Sequence, residues 1–219
     1  MSTRAWMSWS GGKDGAFALA TARRTPGTEI AGLHTTVLAT GEVAASFVPR
    51  RFVEAQAAAL GMPLETVELP SPCPNDVYEQ RTRASWARLR DGGATAVLYG
   101  DLFLADIRAY REQALAGTGL DARFPLFGRP TGPLAHAMLD RGVRALVVCA
   151  DPARVPAEIV GRVWDAALIR ELGAGVDPCG ENGEFHTLVT DGPGFARPVA
   201  ARVTGTAERE GFVTATLDG

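Results

Sequence analysis

The chain has 219 residues, 46% of them hydrophobic, and its 22 Lys and Arg against 25 Asp and Glu give a formal net charge of −3. That length can bury a substantial core, as one large domain or two small ones. Without a basic excess, a dedicated nucleic-acid binder is disfavoured, although a local patch stays open.

In chain order, MSTRAWMSWSGG holds no apolar run of signal-peptide length, and nowhere do roughly 18 apolar residues follow one another, so a cytoplasmic protein with no membrane partner is expected. Ala5 to Trp9 reads as a first strand leading into a glycine turn, and AFALATARR continues as a helix. EIAGLHTTV, Glu29 to Val37, reads as a buried strand because its apolar run is short and β-branched residues close it. Arg50 to Gly61 has helix-forming residues and ends in a glycine suited to the left-handed position after a helix. LETVEL, Leu64 to Leu69, alternates like a strand, and a long amphipathic helix runs from Asp76 to Gly92 and Gly93. ATAVLYGD is a strand ending at Gly100 and Asp101. There follow a helix near Ile107 to Ala116, a strand FPLFG, a helix through PLAHAMLDRG and a strong strand from Val143 to Ala150.

This βαβα alternation predicts an α/β fold with a parallel sheet covered by helices on both faces. The last third differs. A helix from about Pro156 through VPAEIVGRVWDAALIREL gives way to a Gly, Pro and Glu segment, then to strand-like HTLVTDGP, ARPVAARVTG and FVTATLDG. With no repeat or long linker, the expected division is residues 1–128 and a smaller α+β lobe of residues 129–219, packed closely together. Cys73, Cys149 and Cys179 are never spaced C-x-x-C, which argues for reduced thiols and against a zinc ribbon or dithiol motif.

Two stretches carry chemistry. SWSGGKDGAF, Ser8 to Phe17, puts adjacent glycines at a strand-to-helix junction, where backbone N–H groups and the helix N-terminus can face one anion. Lys13 offers a movable charge for phosphate oxygens, and Asp14 a magnesium ligand. The spacing fits neither a Walker loop nor a dinucleotide fingerprint, and taken alone the glycine pair reads as readily as a flexible turn. GVDPCGENGEFHTLVTDGP, Gly175 to Pro193, is rich in acceptors and closes onto a strand, where a rigid base can hold a functional loop.

Ser10-Gly11-Gly12-Lys13-Asp14 resembles the PP-loop, SGGxDS, of the ATP pyrophosphatases, with Gly15 in place of the final serine. Together with Gly180, Glu181, Gly183, Glu184, Phe185 and Thr187, which match G-E-x-G-E-F-x-T, it looks like the diphthine-ammonia ligase family and its relatives. EAQAAALGMPL, from Glu54, and GDLFLADIRAYRE, from Gly100, followed by FPLFGR, agree in order. Ser46 stands where that family usually has a histidine, and Phe127 and Pro130 replace an aromatic partner and an acid.

The resemblance implies an adenine nucleotide alpha hydrolase (HUP, Rossmann-like) fold, with residues 1–128 as a PP-loop ATP-binding domain and residues 129–219 as a substrate-binding lobe. It implies a ligase that adenylates a carboxylate with loss of pyrophosphate and then forms an amide with ammonia, releasing AMP. ATP and Mg2+ are then the cofactors, and a carboxylate-bearing substrate and ammonia the partners, with room for a homo-oligomer. Ser10, Gly11, Gly12, Lys13, Asp14, Gly15, His34 and Gly100 are the implied nucleotide contacts, with Asp14 on the metal. His34 lies where such folds pass near adenine, although a packed histidine remains the favoured reading. Lys13, Asp14, Glu181 and Glu184 are the implied catalytic group. Arg108 and Arg129 are candidate anion clamps that join Gly180, Gly183 and Thr187 around the substrate. Trp6, Trp9, Trp86 and Trp164 read as core or helix-face residues. A PP-loop RNA-modifying enzyme and a non-catalytic ATP or AMP sensor are the alternatives.

Overall fold

The computed structural model describes residues 2–44 and 46–219. The first strand, β1 (Thr3–Ser8), buries alternate residues and is flanked by β2 (Thr28–Leu38) and β4 (Ala96–Leu98). With β3 (Leu64–Leu69) and β5 (Asp121–Arg123) they form a five-stranded parallel sheet in the order β3-β2-β1-β4-β5. Helices α1 (Lys13–Ala22), α2 (Arg50–Leu60), α3 (Asn75–Asp91) and α4 (Ala105–Leu115) connect its strands. A parallel sheet must be covered on both faces. Along β4, Ala96 and Leu98 join the larger apolar cluster with α1 and α2, while Val97 between them packs with Trp86, Leu89 and Leu115 of α3 and α4.

The chain runs outward from β1 to β2 and β3, then returns to β4 on the opposite side of β1. The strand order therefore reverses between β1 and β4, and the loops after these two strands diverge. Open α/β sheets hold their crevice at such a switch point.

After α5 (Thr131–Asp140) comes a second sheet of β6 (Arg144–Ala150), β7 (Phe185–Asp191), β8 (Arg202–Arg209) and β9 (Phe212–Asp218), antiparallel, in the order β7-β6-β9-β8. One apolar cluster includes Met7 and Leu33 from the first sheet and Val147 and Leu188 from the second, so the two lobes share a core. Trp9, Trp86 and Trp164 are buried, as expected, and all three cysteines are free. No helix among the described residues is long and apolar enough to cross a membrane.

Four local expectations are corrected. β6, expected to continue the parallel alternation, pairs antiparallel with β7 and β9; its apolar run is the same either way, and only the distant partners decide its sheet. FPLFG is a turn rather than a strand: Pro125 has no N–H, Gly128 takes φ +78°, and its N–H reaches Leu102 O at 2.7 Å. The strand beside β4 lies just upstream as β5. The helix expected from Pro156 is one short 3-10 turn, Ala157–Ile159, then an extended stretch, then α6 (Ala166–Leu172). Gly161 at φ +91° breaks it, its N–H and that of Trp164 bond to Val147 O and Ala145 O of β6, and Asp165 caps α6 by accepting from Leu168 N at 2.8 Å. Finally, ARPVAARVTG is strand only from Arg202.

Candidate functional site

The glycine turn is held from three sides. Gly11 has φ +83°, and a Cβ there would lie 2.9 Å from Gln56 Oε1 and 3.1 Å from Val53 Cγ1, so only glycine fits. Gln56 of α2 is fully buried and fastens the turn: its Nε2 donates to Gly11 O (2.9 Å) and Val189 O (2.7 Å), and its Oε1 accepts from Trp9 Nε1 (2.9 Å). Val189 of β7 also donates its N–H to Gly11 O at 2.9 Å. The loop of the first lobe is thus tied to a strand of the second.

α1 opens at Gly12, whose extended backbone carries no side-chain cap. The first N–H groups of a helix have no partner inside it and carry favourable charge for an anion. One of them, Lys13 N–H, donates to Thr187 Oγ1 at 3.2 Å. A cavity of about 300 Å3 opens in front of this helix end, between the sheet's C-terminal edge and the loop before β7.

Lys13 is the only lysine in the chain, every other long-chain cation being arginine. It is 1% exposed, and its Nζ donates to Asp14 Oδ2 (2.9 Å) and to the Cys179 carbonyl while lying over the rings of Trp164 (5.4 Å) and Phe185 (5.3 Å). Burial works most strongly against its charge, but Asp14, Cys179 and Asp177 together outweigh it and hold the pKa above the ordinary lysine value. For Asp14 burial dominates and pushes the carboxyl upward, with Lys13 only partly opposing. Asp14 Oδ1 is buried and has no partner among the described residues.

The two glutamates of GENGEF part company. Gly180 (φ +71°) and Gly183 (φ +86°) turn the chain so that Glu181 borders the cavity, where its Oε1 accepts from Leu102 N at 2.6 Å. Burial raises Glu181 to about 7, with the Asp14 and Asp101 carboxylates adding to the rise and the Leu102 N–H opposing it. Glu184 faces the other way. Its oxygens accept from Asp177 N (3.1 Å), Asn182 N (2.9 Å) and Asn182 Nδ2 (3.0 Å), which outweigh burial and lower its pKa. It braces the loop and does not border the cavity, in contrast to the expectation for it.

Ser10, Gly12, Gly15, His34, Gly100, Gly180, Gly183 and Thr187 also border the cavity. Gly100 is needed for close approach, since a Cβ would lie 2.8 Å from Gly15 N. His34 is buried, its Nε2 3.2 Å from Ser85 Oγ, which donates to Glu65; burial pulls its pKa down to about 4, so the ring is neutral. The two arginines lie elsewhere. Arg108 is ion-paired to Glu112 at 2.8 Å and stacked over Phe124 and Phe127. Arg129 lies over Phe17 beside a separate surface groove with Arg23, Arg24 and Arg141.

The arginine that does border the cavity is Arg111, three residues beyond Arg108 on α4, with Asp101 Oδ2 3.9 Å from its Nε. Both were within the GDLFLADIRAYRE stretch, but nothing in the pattern ranked Arg111 above Arg108. Ser46, at the position of the missing histidine, is buried and borders the cavity, and its Oγ, like Thr35 Oγ1, has no partner among the described residues.

An anionic phosphate group fits these residues at the uncapped end of α1, beside the buried Lys13; Gly11, expected among the nucleotide contacts, is turned toward Gln56 and Val53 and does not border the cavity. Among the described residues no cluster of three or more His, Cys, Asp or Glu is placed to hold a metal. A magnesium ion there fits the one orphaned oxygen of Asp14 only in company with phosphate oxygens and water, its usual manner of binding.

Residues 131–214 match the family model of the diphthamide synthase C-terminal domain. Over that segment the chain is similar to diphthamide synthases. The matched segment runs from the start of α5 into β9 and contains the whole Cys179 to Thr187 loop, so the resemblance in GENGEFHT extends through most of the second lobe. The crystal structure of a predicted subunit of tRNA methyltransferase from Methanocaldococcus jannaschii is similar at 16% identity and a TM-score of 0.46, covering 87% of this chain and 98% of that one. No curated protein matches the chain.

Proposed function

We propose that the protein is an ATP-dependent carboxylate-amine ligase: a substrate carboxylate displaces pyrophosphate from the α phosphorus of ATP, and ammonia then displaces AMP from the acyl carbon to give an amide. The observation that carries this reading is the uncapped N-terminus of α1, with the buried Lys13–Asp14 pair beside it, at the reversal point of a parallel sheet.

Such displacements need positioning and charge neutralisation more than covalent help. The N–H groups of Gly12, Asp14 and Gly15 would hold phosphate oxygens. Lys13 has three donors, of which Asp14 and the Cys179 carbonyl take two, leaving one for the leaving pyrophosphate. Asp14 Oδ1 would hold magnesium, which when bound neutralises phosphate charge. Thr35 and Ser46 offer hydroxyls to the nucleoside. Glu181, close to half-protonated at neutral pH, is suited to take a proton from ammonium and release the free amine for attack.

Phosphorus NMR of ATP, Mg2+ and ammonium with a panel of carboxylic acids tests the reading. AMP and pyrophosphate are the expected products, formed only with an acid present. ADP and phosphate as the products would refute it.

A further inference from the structure

A second cavity, of about 150 Å3, lies between α3 and α4, and Tyr78, Thr82, Trp86 and Arg111 border both it and the larger one. Helical spacing explains the shared wall, since residues 78, 82 and 86 fall four apart on one face of α3. Two donors in that wall are buried and have no partner among the described residues: Trp86 Nε1 and Arg111 Nε. Trp86 is 6% exposed, and a buried N–H left unmet is costly, so an acceptor from a ligand is the natural complement.

Burial works against the Arg111 charge, while Asp101, Tyr78 and Tyr99 together more than offset it, yet its Nε has no hydrogen-bond partner among the described residues. Its Nε stands 3.9 Å from Asp101 Oδ2, beyond hydrogen-bond reach, and its guanidinium lies 5.1 Å from the centre of the Tyr99 ring. Asp101 sits in the field of both Asp14 and Arg111. The cleft has two cationic poles, each with a carboxyl beside it: Lys13 with Asp14 at the α1 N-terminus, and Arg111 with Asp101. The first pole suits phosphates. The second opens onto a cavity flanked by the rings of Tyr78, Trp86 and Tyr110, with Glu79, Arg83 and Gln113 also on its wall.

We propose that the junction of the two cavities is the acceptor-acid site, with Arg111 gripping the carboxylate to be activated and the α3–α4 cavity holding a flat, ring-sized body. The substrate class is a compact aromatic or heteroaromatic monocarboxylic acid. The assignment rests on the ligase reading above. Guanidinium matches carboxylate in a two-point grip that lysine does not reproduce. A void of about 150 Å3 takes a group the size of benzene, and aromatic walls favour stacking against a flat ring. Trp86 N–H supplies a donor to the carboxylate or to a ring acceptor.

The test titrates the full-length protein, loaded with Mg2+ and the uncleavable α,β-methylene-ATP, with benzoate, nicotinate, acetate and 2-naphthoate, using calorimetry. Benzoate or nicotinate should bind about tenfold or more tightly than either acetate or naphthoate. Arg111→Gln should weaken that binding about tenfold or more, Arg111→Lys should recover part of it, and both should keep the affinity for the nucleotide analogue. Ring acids that bind no better than acetate, or equally well to Arg111→Gln, would overturn the assignment. A loss of nucleotide affinity in correctly folded Arg111→Gln and Arg111→Lys would overturn it too, giving Arg111 to the nucleotide. If the wild-type chain bound benzoate through Arg111 yet failed to bind the nucleotide, the acid site would stand and the ligase reading would fall.

Discussion

Replacing Gln56 with leucine removes three hydrogen bonds from a fully buried site while nearly conserving volume, so it isolates the fastening of the phosphate loop from any cavity effect. Gly11 O keeps a second partner in Val189 N–H, so the groups that lose this partner are Trp9 Nε1 and Val189 O. At about 1–3 kcal/mol for each of these two buried polar groups left unmet, the expected loss is about 2–6 kcal/mol, a large share of the stability of an ordinary domain. For a chain of this length that corresponds to a fall in Tm of roughly 4–24 °C. Gln56→Glu should be worse, because a carboxylate oxygen would then face the Gly11 and Val189 carbonyls. Urea unfolding followed by circular dichroism measures the loss, and ATP affinity measured in parallel should fall as the turn loosens. A Gln56→Leu variant within about 1 kcal/mol of wild type would refute the claim that this side chain fastens the loop.

Lys13→Met should lower pyrophosphate release about 100-fold or more and, by stranding Asp14, destabilise the fold by about 3–5 kcal/mol; wild-type turnover would move the leaving-group contact elsewhere. Gly15→Ser restores the residue usual in the motif. A Cβ there comes no closer than 3.8 Å to Met7 Cε, so the variant should fold with equal stability or up to about 0.5 kcal/mol more, and a marked fall in Tm would contradict the packing described. Glu181 has a folded-state pKa of about 7 against an ordinary 4.5, so its contribution favours folding below pH 4.5 and is lost as the pH rises through 7. Glu181→Gln should therefore flatten the decline in stability between pH 5 and pH 8, seen in urea titrations across that range, and an unchanged slope would show that the carboxyl is not buried as described.

The first lobe was legible because its signals are local. Short β-branched runs, helix formers ending at Gly61 and the glycine pair at Gly11 each encode their own element, and their alternation encodes a parallel sheet. What lay beyond reach depended on rotation or on distant partners. Arg108 and Arg111 carry the same charge on the same helix, and it is Phe124 and Phe127, packed beneath Arg108, that leave Arg111 to face the cavity. Glu181 and Glu184 likewise differ only in which way two left-handed glycines turn the loop. Gln56 and Ser46 gave no sign of burial, being ordinary polar residues whose role comes from the turn and cavity they meet. β6 reads the same for either sheet, and Gly161 broke a helix whose composition favoured continuing, because the stretch after it pairs with β6.

The central claim, that the start of α1 cradles the phosphates of ATP, is tested most directly by nitrogen-15 amide NMR of the full chain titrated with Mg2+ and α,β-methylene-ATP. The largest shifts should fall on the N–H groups of Gly12, Asp14 and Gly15, with Gly100 close behind. Unmoved loop amides, with the shifts gathered instead around Arg23, Arg129 and Arg141, would contradict the claim and place the anion on the opposite groove.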